Sequence, residues 1–253
     1  MKNTIILLFL LPVALFAQVT LDQGTVIYEQ VIEMEIDMAN LPEGMGDMAK
    51  LFPKEQRFKK QLNFNSSVSL FRNYAAEEVE DEGADGNMRV IMAQNEDETF
   101  TDFKKKRVVE KKSFFGRTFL IEDKPEKLAW KLTGEKKEIL GYACMKAISI
   151  KDSAETVAWF TPAIPISTGP ENAGLQLPGL VLEMTVDDGN ITYTALSLDL
   201  KKVGKSDLAQ PKTGKSVTRE AYDAIVKAKI EEMQEQFGGK GQQRGGSQVI
   251  MIR

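Results

Sequence analysis

Alternation of apolar and polar residues is the feature of this sequence that most limits its possible folds. Between Val26 and Met38 the apolar side chains fall on one face of an extended strand, and acidic side chains fall on the other. Phe58, Leu62 and Phe64 repeat the pattern with polar neighbours. A period of two is that of a β-strand with one buried face. We therefore expect a chain built mainly from antiparallel strands.

Turn signals divide the later part of the chain. The segment 187–190, Asp-Asp-Gly-Asn, lies between two apolar runs and predicts a tight hairpin, because these residues tolerate positive φ. The second run, 191–200, changes its apolar phase near Ala195, which predicts a β-bulge. An amphipathic helix is predicted between a Thr218 cap and Gly238. The expected fold is a β-rich α+β domain, namely a strongly curved antiparallel sheet or open barrel with one C-terminal helix.

The N-terminus is typical of a secretory signal peptide. Lys2 precedes an apolar run over residues 5–16, and the small residue Ala17 comes before Gln18. We predict cleavage after Ala17 and export to the periplasm or cell envelope, with full secretion as an alternative. No later stretch has the apolar length of a transmembrane helix, so we expect a soluble mature protein. The single cysteine, Cys144, excludes an intramolecular disulfide and is expected to be buried.

The pattern divides the chain into four parts. They are a signal peptide over 1–17, a β-rich domain over 18–216, a helix packed on that domain over 217–238 and a flexible tail over 239–253. The tail is rich in glycine and glutamine but ends in the apolar run Val249–Ile252, which is suited to adding to a sheet edge.

Composition excludes several classes of function. The chain contains no histidine, which removes Ser-His-Asp, Cys-His and histidine-based zinc mechanisms. Any catalysis would depend on Asp, Glu, Lys, Tyr or Cys144. No glycine-rich phosphate loop follows a strand candidate, and no cofactor is expected. The net charge of −4 argues against a nucleic-acid partner. We expect a protein that is not an enzyme.

A segment rich in proline and glycine, residues 161–184, specifies a particular backbone path. One interpretation is a rigid crossover that leads into a core strand. The other is a ligand or partner site, since irregular backbone and aromatic surface often bind ligands. The candidate binding residues are Trp159, Phe160, Pro165, Gly169, Pro170, Pro178, Gly179 and Leu180.

The same segment contains Leu177-Pro178-Gly179-Leu180. Other motifs precede it in order, among them Phe64-Asn65, Trp130-Lys131-Leu132, Gly141-Tyr142-Ala143-Cys144, Ala158-Trp159-Phe160-Thr161 and Gly169-Pro170. Together they resemble the GLPGLI family, secreted Bacteroidetes proteins of unestablished biochemical function, across residues 24–200. Gln176 stands where that motif has its first glycine, and Val181 stands where it has isoleucine.

Three functional hypotheses follow. The first is a binding or accessory module for an apolar ligand or an envelope partner. The second is copper handling, because soft thioethers select Cu(I) and methionines cluster at Met34, Met38, Met45 and Met48. The third is a histidine-free enzyme, which requires Asp, Glu or Lys side chains that converge on a concave site. The first is the preferred hypothesis, and no metal site is expected.

Overall fold

The computed structural model describes residues 22–33, 54–74, 96–171 and 173–238. It confirms a mainly β fold with one C-terminal helix. The predicted signal peptide, 1–17, and the predicted tail, 239–253, lie outside the described residues. The strands are β1 Gly24–Glu33, β2 Glu55–Phe64, β3 Val68–Asn73, β4 Glu98–Asp102, β5 Arg107–Phe114, β6 Arg117–Asp123, β7 Lys131–Ile139, β8 Tyr142–Lys151, β9 Ala154–Thr161, β10 Leu180–Val186, β11 Ile191–Asp199 and β12 Lys215–Val217, and the helix α1 is Arg219–Gly238.

All twelve strands belong to one sheet, in the order β12-β6-β5-β4-β3-β2-β1-β11-β10-β9-β8-β7. Strands β1 to β6 form one antiparallel meander and β7 to β11 form another. The two meanders join where β1 pairs antiparallel with β11. Strand β12 is parallel to β6, so the sheet is mixed but mostly antiparallel. The sheet is open, because β7 and β12 stand at its two ends.

The connection from β6 to β7 requires strong curvature. These strands stand second and last in the sheet order, and only residues 124–130 link them. A flat sheet would separate them by about 48 Å at the usual strand spacing. Eight peptide steps reach at most about 28 Å. The sheet therefore curves back on itself, and its interior face holds the main core.

That core takes the apolar face of the alternating pattern. Val26 and Tyr28 of β1 are fully buried, as are Leu62 and Phe64 of β2 and the segment 180–182 of β10. The Phe71 ring makes edge contacts with Tyr28 and Tyr193, at centroid distances of 6.3 and 5.9 Å. Other members of this cluster are Leu62, Phe64, Ala147, Ala158, Phe160, Leu180, Leu182 and Met184.

The outer face of the first meander has a second, smaller core. Leu70, Phe100 and Val109 form it. The segment that follows β11 crosses over this face, where the Asn63 side chain donates to the carbonyl of Asp207 at 3.0 Å. The same segment then forms β12 beside β6, so strands β2 to β5 are covered on both faces along part of their length.

The predicted hairpin and bulge are confirmed. Residues 187–190 connect β10 to β11, and both Asp187 and Asp188 have positive φ. The register between β1 and β11 shifts opposite Ile27, which leaves Leu196 as the extra residue beside Ala195.

Helix α1 begins after Thr218, whose hydroxyl accepts a hydrogen bond from the Ala221 amide at 3.2 Å. Its first turns pack on the interior face, where Tyr222 contacts Phe119 at 5.5 Å and Phe114 at 6.3 Å between centroids. No helix within the described ranges carries an apolar stretch long enough to cross a membrane.

Candidate functional site

The proline- and glycine-rich segment is the long connection between the antiparallel neighbours β9 and β10, and it packs into the core. We call this connection the crossover. Ile164 and Leu177 are buried on the interior side. The Leu180 amide donates to the Ile164 carbonyl at 3.1 Å, and the Val181 amide donates to the Thr168 carbonyl at 2.9 Å. These bonds fix the segment against the start of β10.

Two glycines in this crossover have no room for a side chain. A Cβ on Gly179 would lie 2.1 Å from the carbonyl oxygen of Thr161. A Cβ on Gly169 would lie 2.7 Å from the Cβ of Val181. Glycine is required at both positions because neighbouring atoms already occupy the space.

The eight predicted binding residues do not share one surface. Pro165 and Pro178 are exposed, and Trp159 is half-buried on the face of β9 opposite to Phe160. The Trp159 ring is covered by the Lys137 ammonium, 4.3 Å from its centroid. The other five are buried in the crossover or the core: Phe160, Gly169, Pro170, Gly179 and Leu180.

Gln176 connects the crossover to the link between β6 and β7. Its side-chain amide donates to the Glu126 carbonyl at 2.8 Å, and its side-chain oxygen accepts from the Leu128 amide at 3.0 Å. A glycine could make neither bond. The residue that departs from the expected motif therefore has a specific structural role.

A row of polar side chains crosses the interior face of the first meander. Lys60 of β2 pairs with Asn73 of β3. The pairing of β3 with β4 ends at Arg72 and Glu98, and the pairing of β4 with β5 ends at Glu98 and Lys111. Continued by one residue, the same registers set Asn73 opposite Asp97 and Asp97 opposite Lys112 of β5. We call Lys60, Asn73, Asp97 and Lys112 the interior polar row. At the Lys60 end, the row adjoins Tyr28 of β1, which pairs with Lys60 and is fully buried.

Hydrogen bonds and ion pairs hold the interior polar row. The Lys60 ammonium donates to Asn73 Oδ1 at 2.5 Å. The Lys112 ammonium lies 3.8 Å from Asp97 Oδ2 and 3.9 Å from Glu110 Oε2. Asp97 Oδ1 also accepts the backbone amide of Ser113 at 2.9 Å. The row thus has an ammonium donor at each end and acceptor oxygens between them.

Glu171 of the crossover faces this row. Its φ is 52°, and its carboxylate accepts a 2.8 Å hydrogen bond from the Tyr193 hydroxyl. Burial lowers the pKa of Lys60, although Glu171 and Asp97 oppose the effect. Burial also acts to lower the pKa of Lys112, but Glu171 and the other nearby carboxylates outweigh it and leave the pKa raised. Glu171 therefore acts electrostatically on both lysines.

The other end of the row lies under α1. Arg219 pairs with Glu110 at 2.6 Å, and Tyr222 packs on Phe119, the residue opposite Lys112. The Lys112 side chain is 30 % exposed to solvent, and the Asp97 side chain is 32 % exposed. The row therefore occupies a partly open strip between the crossover and the helix.

The sequence analysis missed this site, although a signal was present. Lys60 stands between Phe58 and Leu62, in the phase of the apolar residues, and Lys112 stands two residues before Phe114. Polar residues in the core phase of neighbouring strands break the local pattern, and such breaks are expected at functional sites.

The metal and apolar-ligand hypotheses concern other parts of the molecule. Among the described residues no three Asp, Glu or Cys side chains lie close enough to hold a metal ion. The methionines considered for copper, Met34, Met38, Met45 and Met48, lie outside the described residues. A shallow groove of about 280 Å³ does lie on the outer face, between β6, β12 and residues 210–212.

Comparison with known proteins gives one family. The family described as "N-glycanase peptide, N-terminal domain" matches residues 86–223, more than half of the chain. Two crystal forms of PNGF-II, in space groups P21 and C2, are structurally similar, each with a TM-score of 0.54 and with 19 % and 20 % identity. Each covers 81 % of this chain, which spans 33 % and 32 % of theirs. At this identity the likeness shows the fold alone. No curated protein matches significantly.

The assignment to the GLPGLI family is wrong, because the family that matches is a different one. The physical reason lies in the motif itself. Gly179 and Leu180 meet the steric needs of a buried crossover. Such needs depend on the packing of a curved sheet rather than on membership in one family.

Proposed function

Because the chain belongs to the family of N-glycanase peptide N-terminal domains, we propose that it is a non-enzymatic binding or accessory module whose ligand lies on the interior polar row. The observation that carries this proposal is the placement of Lys60, Asp97 and Lys112 on the face of the sheet that also holds the main apolar core. Charged groups on such a face are costly unless they are paired. A binding function accounts for keeping them there.

The chemistry of the row favours a polar ligand over an apolar one. Ammonium groups only donate hydrogen bonds and carboxylates only accept them, whereas a hydroxyl group does both. A ligand with several hydroxyls could therefore bridge Lys60, Asp97 and Glu171 without leaving any of them unpaired. A saccharide has this character, and it agrees with the word N-glycanase in the family's description.

The proposed setting is the cell envelope. The N-terminal run that precedes Gln18 is typical of an exported chain. This chain spans about a third of the length of the PNGF-II structures, and the role proposed for it is an accessory one. An envelope protein is then a possible partner in addition to the saccharide.

A second candidate function is a histidine-free enzyme, and the same row is the specific observation that favours it. Lys60 and Lys112 lie within electrostatic reach of the Glu171 and Asp97 carboxylates. Such groups are able to transfer protons. We keep the binding module as the first proposal because each of these groups is already engaged in an ion pair or hydrogen bond network.

Calorimetry with an N-glycosylated peptide, its released glycan and the bare peptide tests the proposal. We expect the two glycan-bearing probes to bind and Lys60→Met to weaken them about tenfold, because a charged hydrogen bond is lost. Lys59→Met is the matched control, since Lys59 points to the opposite face. Equal binding by both variants, or binding of no glycan, would refute the proposal. Release of glycan from the peptide, abolished by Glu171→Gln, would establish the enzyme instead.

A further inference from the structure

The outer groove is distinct from the interior polar row and lies on the other face of the sheet. Val109, Leu120, Pro211 and Val217 give it an apolar floor and wall. Polar groups stand around it, including Glu122. Its volume of about 280 Å³ falls at the lower limit of ligand pockets, which hold about 300–1,000 Å³. The groove is therefore better suited to a few side chains than to a whole small molecule.

The groove borders a free sheet edge. Strand β12 ends the sheet order, and no strand within the described residues pairs with its other side. Lys215 and Ser216 of β12 are exposed. An unpaired edge of this kind is a template for another extended segment.

The chain carries a segment of matching chemistry. Residues 239–248 are rich in glycine and glutamine, and the apolar run Val249–Ile252 follows, then Arg253. In an extended strand, Val249 and Met251 share one face, which suits the apolar floor of the groove. Glu122 at the groove already pairs with Arg107 at 3.1 Å, so the match rests on the apolar face of the segment.

The length of the chain permits this segment to reach the groove. Helix α1 starts beside the groove, two residues after Val217. Its 20 residues extend over about 30 Å. The ten residues 239–248 can extend over about 33 Å, enough to return along the whole helix. A tether of this length also gives the segment a high effective concentration at the groove.

We propose that Val249–Ile252 docks in the outer groove and adds an extended segment to the free edge of β12. The chain thus supplies its own cover for the edge of its sheet. This proposal is independent of the saccharide function, because the groove and the interior polar row lie on opposite faces.

Disulfide trapping in the full chain tests the docking. The pair Ser216→Cys and Met251→Cys places one thiol on the groove wall and one in the segment. The control pair is Ser216→Cys and Gln243→Cys, which uses the linker. We expect the first pair to form an intramolecular disulfide at least about tenfold faster than the control. A synthetic peptide of residues 245–253, added in excess, should slow it.

Equal rates for the two pairs would overturn the proposal. Disulfide-linked dimers in place of the intramolecular bond would also overturn it, since the segment would then occupy a second copy. Hydrogen exchange gives a second measurement that does not depend on cysteine. The double variant Val249→Asp and Met251→Asp should lose protection at residues 215–217, and unchanged protection there would count against docking.

Discussion

The Tyr193 hydroxyl donates a 2.8 Å hydrogen bond to Glu171, which ties the strand core to the crossover segment. The same hydroxyl accepts a 2.9 Å hydrogen bond from the Gln30 side chain. Tyr193 is therefore satisfied as donor and acceptor while almost fully buried. It also sets the position of the carboxylate that faces Lys60 and Lys112.

We predict that the protein loses stability above pH 10. Burial raises the pKa of both Tyr28 and Tyr193 far above the ordinary value of 10.0, and Glu171 raises that of Tyr193 further. Above pH 10 the unfolded chain releases these protons and the folded chain retains them. The free energy of unfolding should therefore fall by about 1.4 kcal/mol per pH unit for each tyrosine. Urea unfolding between pH 8 and 11.5 measures the slope.

Tyr193→Phe should remove the contribution of Tyr193 to the pH dependence of the free energy of unfolding. It also leaves the Gln30 amide without its partner, which lowers stability at neutral pH by about 1–3 kcal/mol. Tyr74→Phe, at a position that keeps 38 % exposure, is the control and should leave the slope unchanged. An equal slope in all three proteins would contradict the assignment.

Gly179→Ala should be strongly destabilising. The added Cβ would lie 2.1 Å from a backbone oxygen of Thr161, which a rotamer change cannot relieve. We expect a loss of roughly 3 kcal/mol, at the upper end for overpacking. The matched control is Gly116→Ala, where the new Cβ meets no atom within 4 Å. That control should lose only about 1 kcal/mol from its positive φ. Thermal unfolding measures both losses of stability. Similar losses in the two variants would show that the backbone around Gly179 relaxes to make room for the new Cβ.

Gln176→Ala should loosen the link between β6 and β7. Both side-chain bonds to Glu126 and Leu128 disappear, but they lie near solvent, so we expect a loss of about 1 kcal/mol. Hydrogen exchange should accelerate at the Leu128 amide. Lys127→Ala, an exposed change in the same link, should leave that amide protected. If both variants exchange equally fast, Gln176 does not hold the link.

The Cys144 thiol should be inert in the folded protein. Burial raises its pKa to about 11, from an ordinary 9.0, so at pH 8 it forms about a hundredfold less thiolate. Ellman's reagent should react with one thiol per chain in urea and with almost none without it. Fast reaction of the native protein would show that β7 opens readily beside β8.

Periodicity predicted the parts of the fold that depend on local pattern. The strand that contains Val26 and the hairpin at 187–190 follow from period two and from residues that accept positive φ. The bulge beside Ala195 follows from a change of phase. Each of these signals is complete within about ten residues, as expected for strands and turns.

The interior polar row needed the pairing of distant strands. Lys60 and Lys112 each stand in the apolar phase of their own segment, but neither segment shows that the other lies nearby. Only the sheet order brings them to one face, with Asn73 and Asp97 between them. The predicted site at Trp159 and Phe160 illustrates the converse, since these two neighbours in sequence point to opposite faces of β9.

The junction between β1 and β11 has a consequence for the order of folding. Each meander pairs strands that are neighbours in the sequence, so its contacts are more local than the pairing of β1 with β11. The junction unites strands that lie far apart in the sequence, and the segment that forms β12 must then pass over the first meander to reach β6. During synthesis from the N-terminus, β1 keeps one edge unpaired until β11 emerges. We therefore expect assembly to be limited by one late, long-range closure, before which the first meander depends on protection from aggregation.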